Sequence, residues 1–498
     1  MKSVALVKML VITSLMLIIV FMIQSCTKEK IIIYRPVTDK VNLASPPNTG
    51  LVFVEMPTLA WEQLSGATGY QVQLSNGDAF SDIVVDAVVT DTSFDYGGSM
   101  GNSQYFWRVR AQNGDQVWGD WSDADIWSFS INDNVNYMVL RSVTPTYGVA
   151  QDAYVVEERP DSVIAYVADG QAGLTIVNVT DPAAPRMVGN LDHPNGDFAQ
   201  SVWKLPGDEI AYVADMDGKI ATLDTRLPLD IGSVRDINLG WDQNLTDLCG
   251  MVYQDTIYLF TVNSLYTHRI VAFFQIVYRS GIPGFGDFYI VPPADLPSNG
   301  EGVFYDTMSV VVEYYDSDTD STRYENQEGM FVFAAADQGG LFWYDISATH
   351  SFDGADTLLL KSPRFLGSAD TPYSALSVFV SNGYAYVADD RSGLQIFDLP
   401  DTIPAWDNDS TYSADPVWVA DINTSGRTKD VFIDGNYCYL ADGSGGLKII
   451  DVTNPQAPVF MAAYTTPYAY GVFVHGDNIF ICDRDNGLMI FEKGDLIN

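Results

Sequence analysis

At 498 residues, with 64 acidic against 26 basic side chains, the chain carries a formal charge of −38 at neutral pH. A surface this acidic repels nucleic acid and anionic lipid head groups, which excludes both as surface partners. The 47% hydrophobic and 13% aromatic content, with 28 Tyr and 25 Phe, supplies a large core and favours strands over helices.

Lys2 and Lys8 introduce an apolar run, Met9 to Ile23. The run falls short of the roughly 20 residues that span a bilayer, so it reads as the core of an export signal. Ile23-Gln24-Ser25-Cys26 closes it and resembles a bacterial lipobox. That resemblance implies cleavage before Cys26 and a lipid on its thiol; an uncleaved signal anchor is the alternative. The expected layout is a signal peptide over 1–25 and a tether over 26–45. Cleavage removes two lysines and no acid, taking the charge from −38 to −40. Membrane attachment then rests on acyl chains, at ~0.8 kcal/mol per buried CH₂. The expected location is the bacterial cell envelope. Thr27 is not a retention signal of the Asp kind, which favours the outer membrane or cell surface. Three cysteines remain, Cys249, Cys438 and Cys482, an odd number without metal spacing. Cys438 and Cys482 fall in apolar runs and are expected as buried thiols.

Between 46 and 132 the texture is one of short alternating runs. Leu59-Ala60-Trp61, Tyr70-Gln71-Val72-Gln73-Leu74-Ser75, Tyr105-Phe106-Trp107-Arg108-Val109-Arg110-Ala111 and Trp121-Ser122 follow in order. Alternation predicts strands with one buried face, Tyr105, Trp107 and Val109 on one side and Arg108 and Arg110 on the other. The four motifs resemble a fibronectin type III module, which implies a β-sandwich serving as spacer or binding domain.

From 136 to 494 one phrase recurs. Tyr439-Leu440-Ala441-Asp442 leads through glycines to Leu447-Lys448-Ile449-Ile450-Asp451 and a Pro-punctuated exit at Pro455 and Pro458. Tyr166-Val167-Ala168-Asp169 begins a near copy. Seven units align on the Ala-Asp hairpin, at Asp169, Asp215, a degenerate position near Thr261, Asp337, Asp389, Asp442 and Asp483. A unit of about 40–50 residues with four strands is the size of a propeller blade. The wide step before Asp337 accommodates an insertion at about 278–327. In the sixth unit the strands are expected at 430–433, 437–441, 447–452 and 459–464. The motif resembles the LVIVD repeat, a β-propeller repeat of bacterial and archaeal surface proteins, with no general activity to carry over. The last unit is one strand short, and Tyr137 to Pro145 parallels the missing one, so an N-terminal strand is expected to complete the last blade. The fold class is therefore all-β: a sandwich followed by a seven-bladed propeller, or a six-bladed one if the third unit is a false alignment.

The repeated aspartate reads as a turn residue, since catalysis needs one and not six, and its turn is expected away from the channel mouth. Ligands of propellers meet the loops leading into the innermost strands. Alignment places Gln151-Asp152, Gln200-Ser201, Leu248-Cys249, Met308-Ser309, Leu376-Ser377, Lys429-Asp430 and Tyr470-Gly471 there. The candidate funnel is Asp152, Ser201, Ser309, Ser377, Arg427, Lys429, Asp430 and Tyr470, with Tyr147, Phe198, Tyr373 and Tyr468 near the rim. Asp316, Asp318 and Asp320 have the spacing of a calcium loop, but Ser321 and Gln327 stand where its Gly and Glu belong, so no cofactor is expected, with calcium at these three aspartates as the alternative. Enzymatic motifs are absent and the four histidines share no spacing. The expected role is a non-enzymatic, lipid-anchored binding or scaffold protein for an envelope or extracellular protein or glycan. The alternatives are a glycan-active or other hydrolase using a carboxylate pair, such as Asp152 with Asp430, and a purely structural surface protein.

Overall fold

The computed structural model describes residues 40–494 apart from 46–49, 53–57, 97–102, 123–126, 132–137, 192–197, 206–209, 226–231, 239–243, 254–255, 265–268, 277–287, 291–292, 317–320, 348–349, 353–357, 361, 406–412 and 425. Every helix or strand element among them is a strand. Cys26, the export signal and most of the tether lie outside the described residues, as do Asp318 and Asp320.

Two sheets form the N-terminal part. Thr58–Trp61 pairs with Leu43–Ser45 on one side and Ser93–Asp95 on the other. The second sheet runs Gly50–Val52, Trp127–Ile131, Ser103–Asn113, Ala67–Ser75, Ile83–Val89. Leu59, Trp61, Val72, Trp107, Val109 and Phe129 from both sheets share one core. Alternation works as expected: Trp107 and Val109 are fully buried, while the Arg108 and Arg110 guanidiniums lie over Trp121. The expected tether ends earlier than 45, because Val41 and Leu43 bury against this core and draw Leu43–Ser45 into the sheet.

Among the described residues seven further sheets of four or five strands follow, besides a two-stranded one of His350–Phe352 with Leu358–Leu360. The first strands of the seven are Asp152–Arg159, Ala199–Lys204, Asn244–Tyr253, Gly302–Asp316, Ser377–Ser381, Asp430–Asp434 and Ala469–His475. In each sheet the second strand returns antiparallel to the first and the third antiparallel to the second. Most of the described second and third strands are buried on both faces where they pack in the ring; Ile210–Asp215 is buried at every residue, while Ser321–Ala335 is buried only over its last seven. They therefore read as continuous apolar runs rather than alternating ones. Where the third strand meets the outer one, six sheets carry a register shift at the same step, as at Ile176/Val177 and Ile449/Ile450. Such bulges increase strand twist and splay the outer edge.

An apolar core lies between each pair of consecutive sheets. A seventh core joins the last sheet to the first, with Phe480, Cys482, Leu488 and Ile490 packed on Ala153, Val155, Val167 and Val177. The sheets thus stand in a ring. Met138–Thr144 is the fourth strand of the seventh sheet, paired antiparallel to Gly487–Lys493, as expected. The four strands expected in the sixth unit are found within a residue or two of their expected ends.

Two expectations fail in the third and fourth sheets. Gly302–Asp316 and Ser321–Ala335 form one long hairpin, so the expected insertion from residue 302 onward belongs to the fourth sheet's own first and second strands, extended outward. The alignment there had nothing but length to go on. In the fourth sheet Ala336, not Asp337, takes the place of the repeated aspartate. Ala336 N–H donates to Gly340 O just as Asp169 N–H donates to Gly173 O. Asp337 instead matches Gly170, with φ of +40° against +56°. In the third sheet the position falls on Asn263 rather than Thr261, since Asp247 pairs with Val262 as Asp152 pairs with Ala168.

Candidate functional site

The first strands converge on the ring axis, and their leading ends build a cup of about 250 Å³. Gln151, Asp152, Gln200, Ser201, Thr246, Asp247, Glu301, Leu376, Ser377, Lys429, Asp430, Tyr470 and Gly471 line it. One register position contributes the innermost layer from all seven sheets: Asp152, Ser201, Asp247, Gly302, Ser377, Asp430 and Gly471. Small residues fit there because the backbones crowd; a Cβ on Gly302 would stand 2.7 Å from Leu376 O, and one on Gly471 2.6 Å from Gln151 O.

The three aspartates tie neighbouring strands together. Asp152 accepts from Val202 N–H (3.0 Å), Ser201 Oγ (2.9 Å) and its neighbour Ala153 N–H (2.7 Å). Asp430 accepts from Val472 N–H (2.9 Å), Ser377 Oγ (2.7 Å) and Val431 N–H (2.8 Å). Asp247 accepts from Val303 N–H (2.8 Å) and Leu248 N–H (2.8 Å). Burial, then the charge of Asp152, pushes Asp247 up to about 6 and Asp430 up to about 7. Burial and Asp337 push Glu301 up to about 7, against the pull of Lys429.

Two residues below the acidic layer lies a floor. The same register holds Tyr154, Trp203, Cys249, Phe304, Phe379, Phe432 and Phe473. Six of these rings form an arc: Trp203 to Tyr154 at 6.4 Å between centroids, then Phe473 (5.2 Å), Phe432 (5.0 Å), Phe379 (4.9 Å) and Phe304 (4.4 Å). Cys249 takes the seventh place, and Trp203 leans over Gly250 beside it, where a Cβ would meet the indole at 2.7 Å. At ~3.3 Å per residue the floor lies about 7 Å below the carboxylates.

Of the expected funnel residues, Asp152, Ser201, Ser377, Lys429, Asp430 and Tyr470 line the cup. Asp152 and Asp430 share it and repel one another. Arg427 stands on the rim with its Nε and Nη2 on Asp390 at 2.8 and 2.7 Å. Ser309 does not belong: it lies exposed on the long hairpin opposite Glu328, seven residues from the true position at Gly302. The third sheet's residue is Asp247, two before the expected Cys249. An aromatic two positions after a small or acidic residue is the signal that would have found Gly302 and Phe304. Asp316 ends its strand, and its partners in the calcium spacing lie outside the described residues. Among the described residues no three His, Cys, Asp or Glu side chains are placed to hold a metal ion.

The repeated aspartate lies on the mouth face, not away from it, because second strands run back toward the leading ends of the first. Asp169 accepts from Thr146 Oγ1 (2.7 Å), Tyr147 N–H (3.0 Å), Gly148 N–H (3.0 Å) and Thr175 Oγ1 (2.9 Å). It latches the loop arriving from the preceding sheet. Asp215, Asp389 and Asp483 hold Phe198, Tyr373 and Tyr468 by their N–H groups at the same place. A Cβ on Gly148 would stand 2.0 Å from Asp169 O, and one on Gly426 1.8 Å from Asp442 O, which is why the latched loops of the first and sixth sheets need glycine.

Raised carboxyl groups make stability depend on pH. Each is protonated when folded at pH values where the unfolded chain, near 4, has lost its proton, so stability falls as pH rises from about 4 through 7. A shift of two to three units corresponds to on the order of 3 kcal/mol per group. The thermal midpoint is expected to be higher at pH 5 than at pH 8, with Asp430→Asn narrowing that difference. An unchanged difference in the variant would mean that Asp430 ionises as freely as in water.

Comparison with known proteins gives a repeat family but no curated relative. No curated protein matches the chain. Among solved structures, the β-propeller domain of Cps50 (Swd1) from Myceliophteria thermophila aligns over 71% of this chain and 99% of its own, at 9% identity and a TM-score of 0.44. The LVIVD repeat matches residues 164–193, 374–401, 425–466 and 468–491. These stretches fall in the first, fifth, sixth and seventh sheets, so the chain carries LVIVD repeats there.

Proposed function

We propose that the chain is a lipid-anchored, extracytoplasmic binding or scaffold protein without enzymatic activity. In this reading the seven sheets are the blades of one propeller, carried on a fibronectin III-like sandwich tethered through Cys26. The partner, an envelope or extracellular protein or glycan, meets the mouth face. The observation that carries the proposal is the state of the cup: its three aspartates are committed to main-chain amides of their own and neighbouring strands, above an aromatic floor. Groups held this way shape a rigid concave surface, and the rim of Gln151, Gln200, Lys429 and Tyr470 is left to make contacts. The hydrolase reading has one observation in its favour, an Asp430 carboxyl raised to about 7 beside a second carboxylate in one cup.

A photo-crosslinking side chain placed at Tyr470, on the mouth, or at Asn382, on an exposed turn at the opposite end of the fifth sheet, separates the faces. In intact cells, adducts are expected from position 470 and not from 382. Equal labelling from both positions would contradict a mouth-face binding role.

A further inference from the structure

Three arginines on the rim are ordered rather than scattered, two of them stacked on tyrosines. Asp389 holds Tyr373 by its N–H, and Arg391, two residues after that aspartate, places its guanidinium 5.3 Å from the Tyr373 ring centroid. Asp483 holds Tyr468 in the same way, and Arg484, next in sequence, lies 5.2 Å over its ring. Between them Arg427, 48% exposed, lies within electrostatic reach of both tyrosines and forks onto the buried Asp390. The order across the fifth, sixth and seventh sheets is Arg391, Tyr373, Arg427, Tyr468, Arg484. Tyr470, 4.8 Å from Tyr468, continues it to the cup, where Lys429 also reaches Asp390 at 3.2 Å.

This array runs against the chain's composition. A protein of net charge −38 gathers three guanidiniums and an ammonium on one sector of one face, against the two carboxylates, Asp390 and Asp485, that pair with them. The first sheet has the same latch and the same aromatic, but its Tyr147 is 71% exposed, with Gln171 and Ala172 beside it instead of arginine. Arg391 and Arg484 over latched tyrosines and Arg427 on Asp390 are held in place, so less side-chain entropy remains to be lost on binding. Since a guanidinium already covers a face of Tyr373 and of Tyr468, these rings are poorly placed to stack on sugars. Arg427 already forks onto Asp390 and Arg484 onto Asp485 at 3.2 and 3.1 Å, so what the array presents is the guanidinium of Arg391 together with the remaining N–H groups of the other two, which match carboxylates.

The geometry points to the Arg391–Arg427–Arg484 array as the docking site for an acidic protein segment, one whose Asp or Glu carboxylates pair with the guanidiniums while the surrounding surface repels it. This rests on the mouth face being the binding face. Complementary charge on an otherwise repelling surface confines such a partner to one sector and one orientation.

The probe is a fluorescent ten-residue glutamate peptide, titrated into the full chain by anisotropy at low salt, with an oligogalacturonate of equal charge as the second ligand. The peptide is expected to bind, to weaken as salt rises, and to lose about tenfold or more in affinity in the Arg391→Ala/Arg484→Ala double variant. Both residues are exposed, so the variant's thermal midpoint should match the parent's. No peptide binding by the parent, or equal binding by the variant, overturns the proposal, as does binding of the uronate alone. If the probe at position 470 captures a partner while the peptide does not bind, the acidic-segment assignment fails and the mouth-face reading stands. If neither occurs, both fail.

Discussion

Replacing Asp442 by alanine is expected to lower the free energy of unfolding by about 3–5 kcal/mol. Its carboxylate is fully buried and accepts from Thr424 Oγ1 (2.6 Å), Thr428 Oγ1 (2.8 Å) and Gly426 N–H (3.0 Å). The ammonium of Lys448, 5% exposed, lies 3.8 Å away. Burial pushes the Asp442 carboxyl up, and Lys448 pulls it back; burial pushes Lys448 down, and Asp442 pulls it back. Alanine leaves three donors without this acceptor and a buried ammonium without this carboxylate, although Thr424 and Thr428 keep each other at 3.0 Å; a buried group that loses such a partner costs on the order of 1–3 kcal/mol. Equilibrium denaturation of parent and variant measures the loss. A difference under about 1 kcal/mol would mean that the loop is held by something other than the aspartate latch.

The latch shows why the repeat was the most legible part of this chain. Ala-Asp followed by a turn of positive φ needs particular residues wherever it occurs, so the phrase survives in unit after unit. Gly170 and Gly443 supply that φ in two sheets, and Asp337 and Asp390 adopt it in two others. The latter substitution shifted the reading by one residue at Asp337. Nothing in the linear phrase told that the aspartate faces back toward the loop before the first strand. That fact follows from antiparallel return, which places the second-to-third turn beside the mouth.

The cup was legible where the inner strands are short and lost where they are long. Asp152, Ser201, Ser377 and Asp430 each stand at or near the start of a strand of eight residues or fewer, and the alignment found them. Gly302 opens a strand of 15 residues, and any small residue along it, Ser309 included, fits the same pattern. The aromatic floor escaped because six of the seven units contribute one ring each, and only the ring of sheets brings them together. The stacked arginines were equally invisible: Arg391 and Arg484 are far apart in the chain and become neighbours of one surface through the latched tyrosines.

All of these features require that the seven sheets close into one ring. Closure depends on Met138–Thr144, which pairs with the last strand and seats Met138 and Leu140 against the core between the sixth and seventh sheets. Arg141 bonds Glu492 across the pair, and Ser142 Oγ donates to Pro182 O of the first sheet at 2.7 Å. Without this strand, the Gly487–Lys493 edge, buried along nearly all its length, would be laid open. The measurement is the unfolding of two shortened chains, one starting at residue 134 and one at 146. The first is expected to keep its near-ultraviolet dichroism and unfold cooperatively. The second is expected to lose both and to regain them when a peptide of residues 136–145 is added. Equal midpoints and equal spectra for the two chains would contradict the closed ring, and with it the cup, the floor and the mouth face.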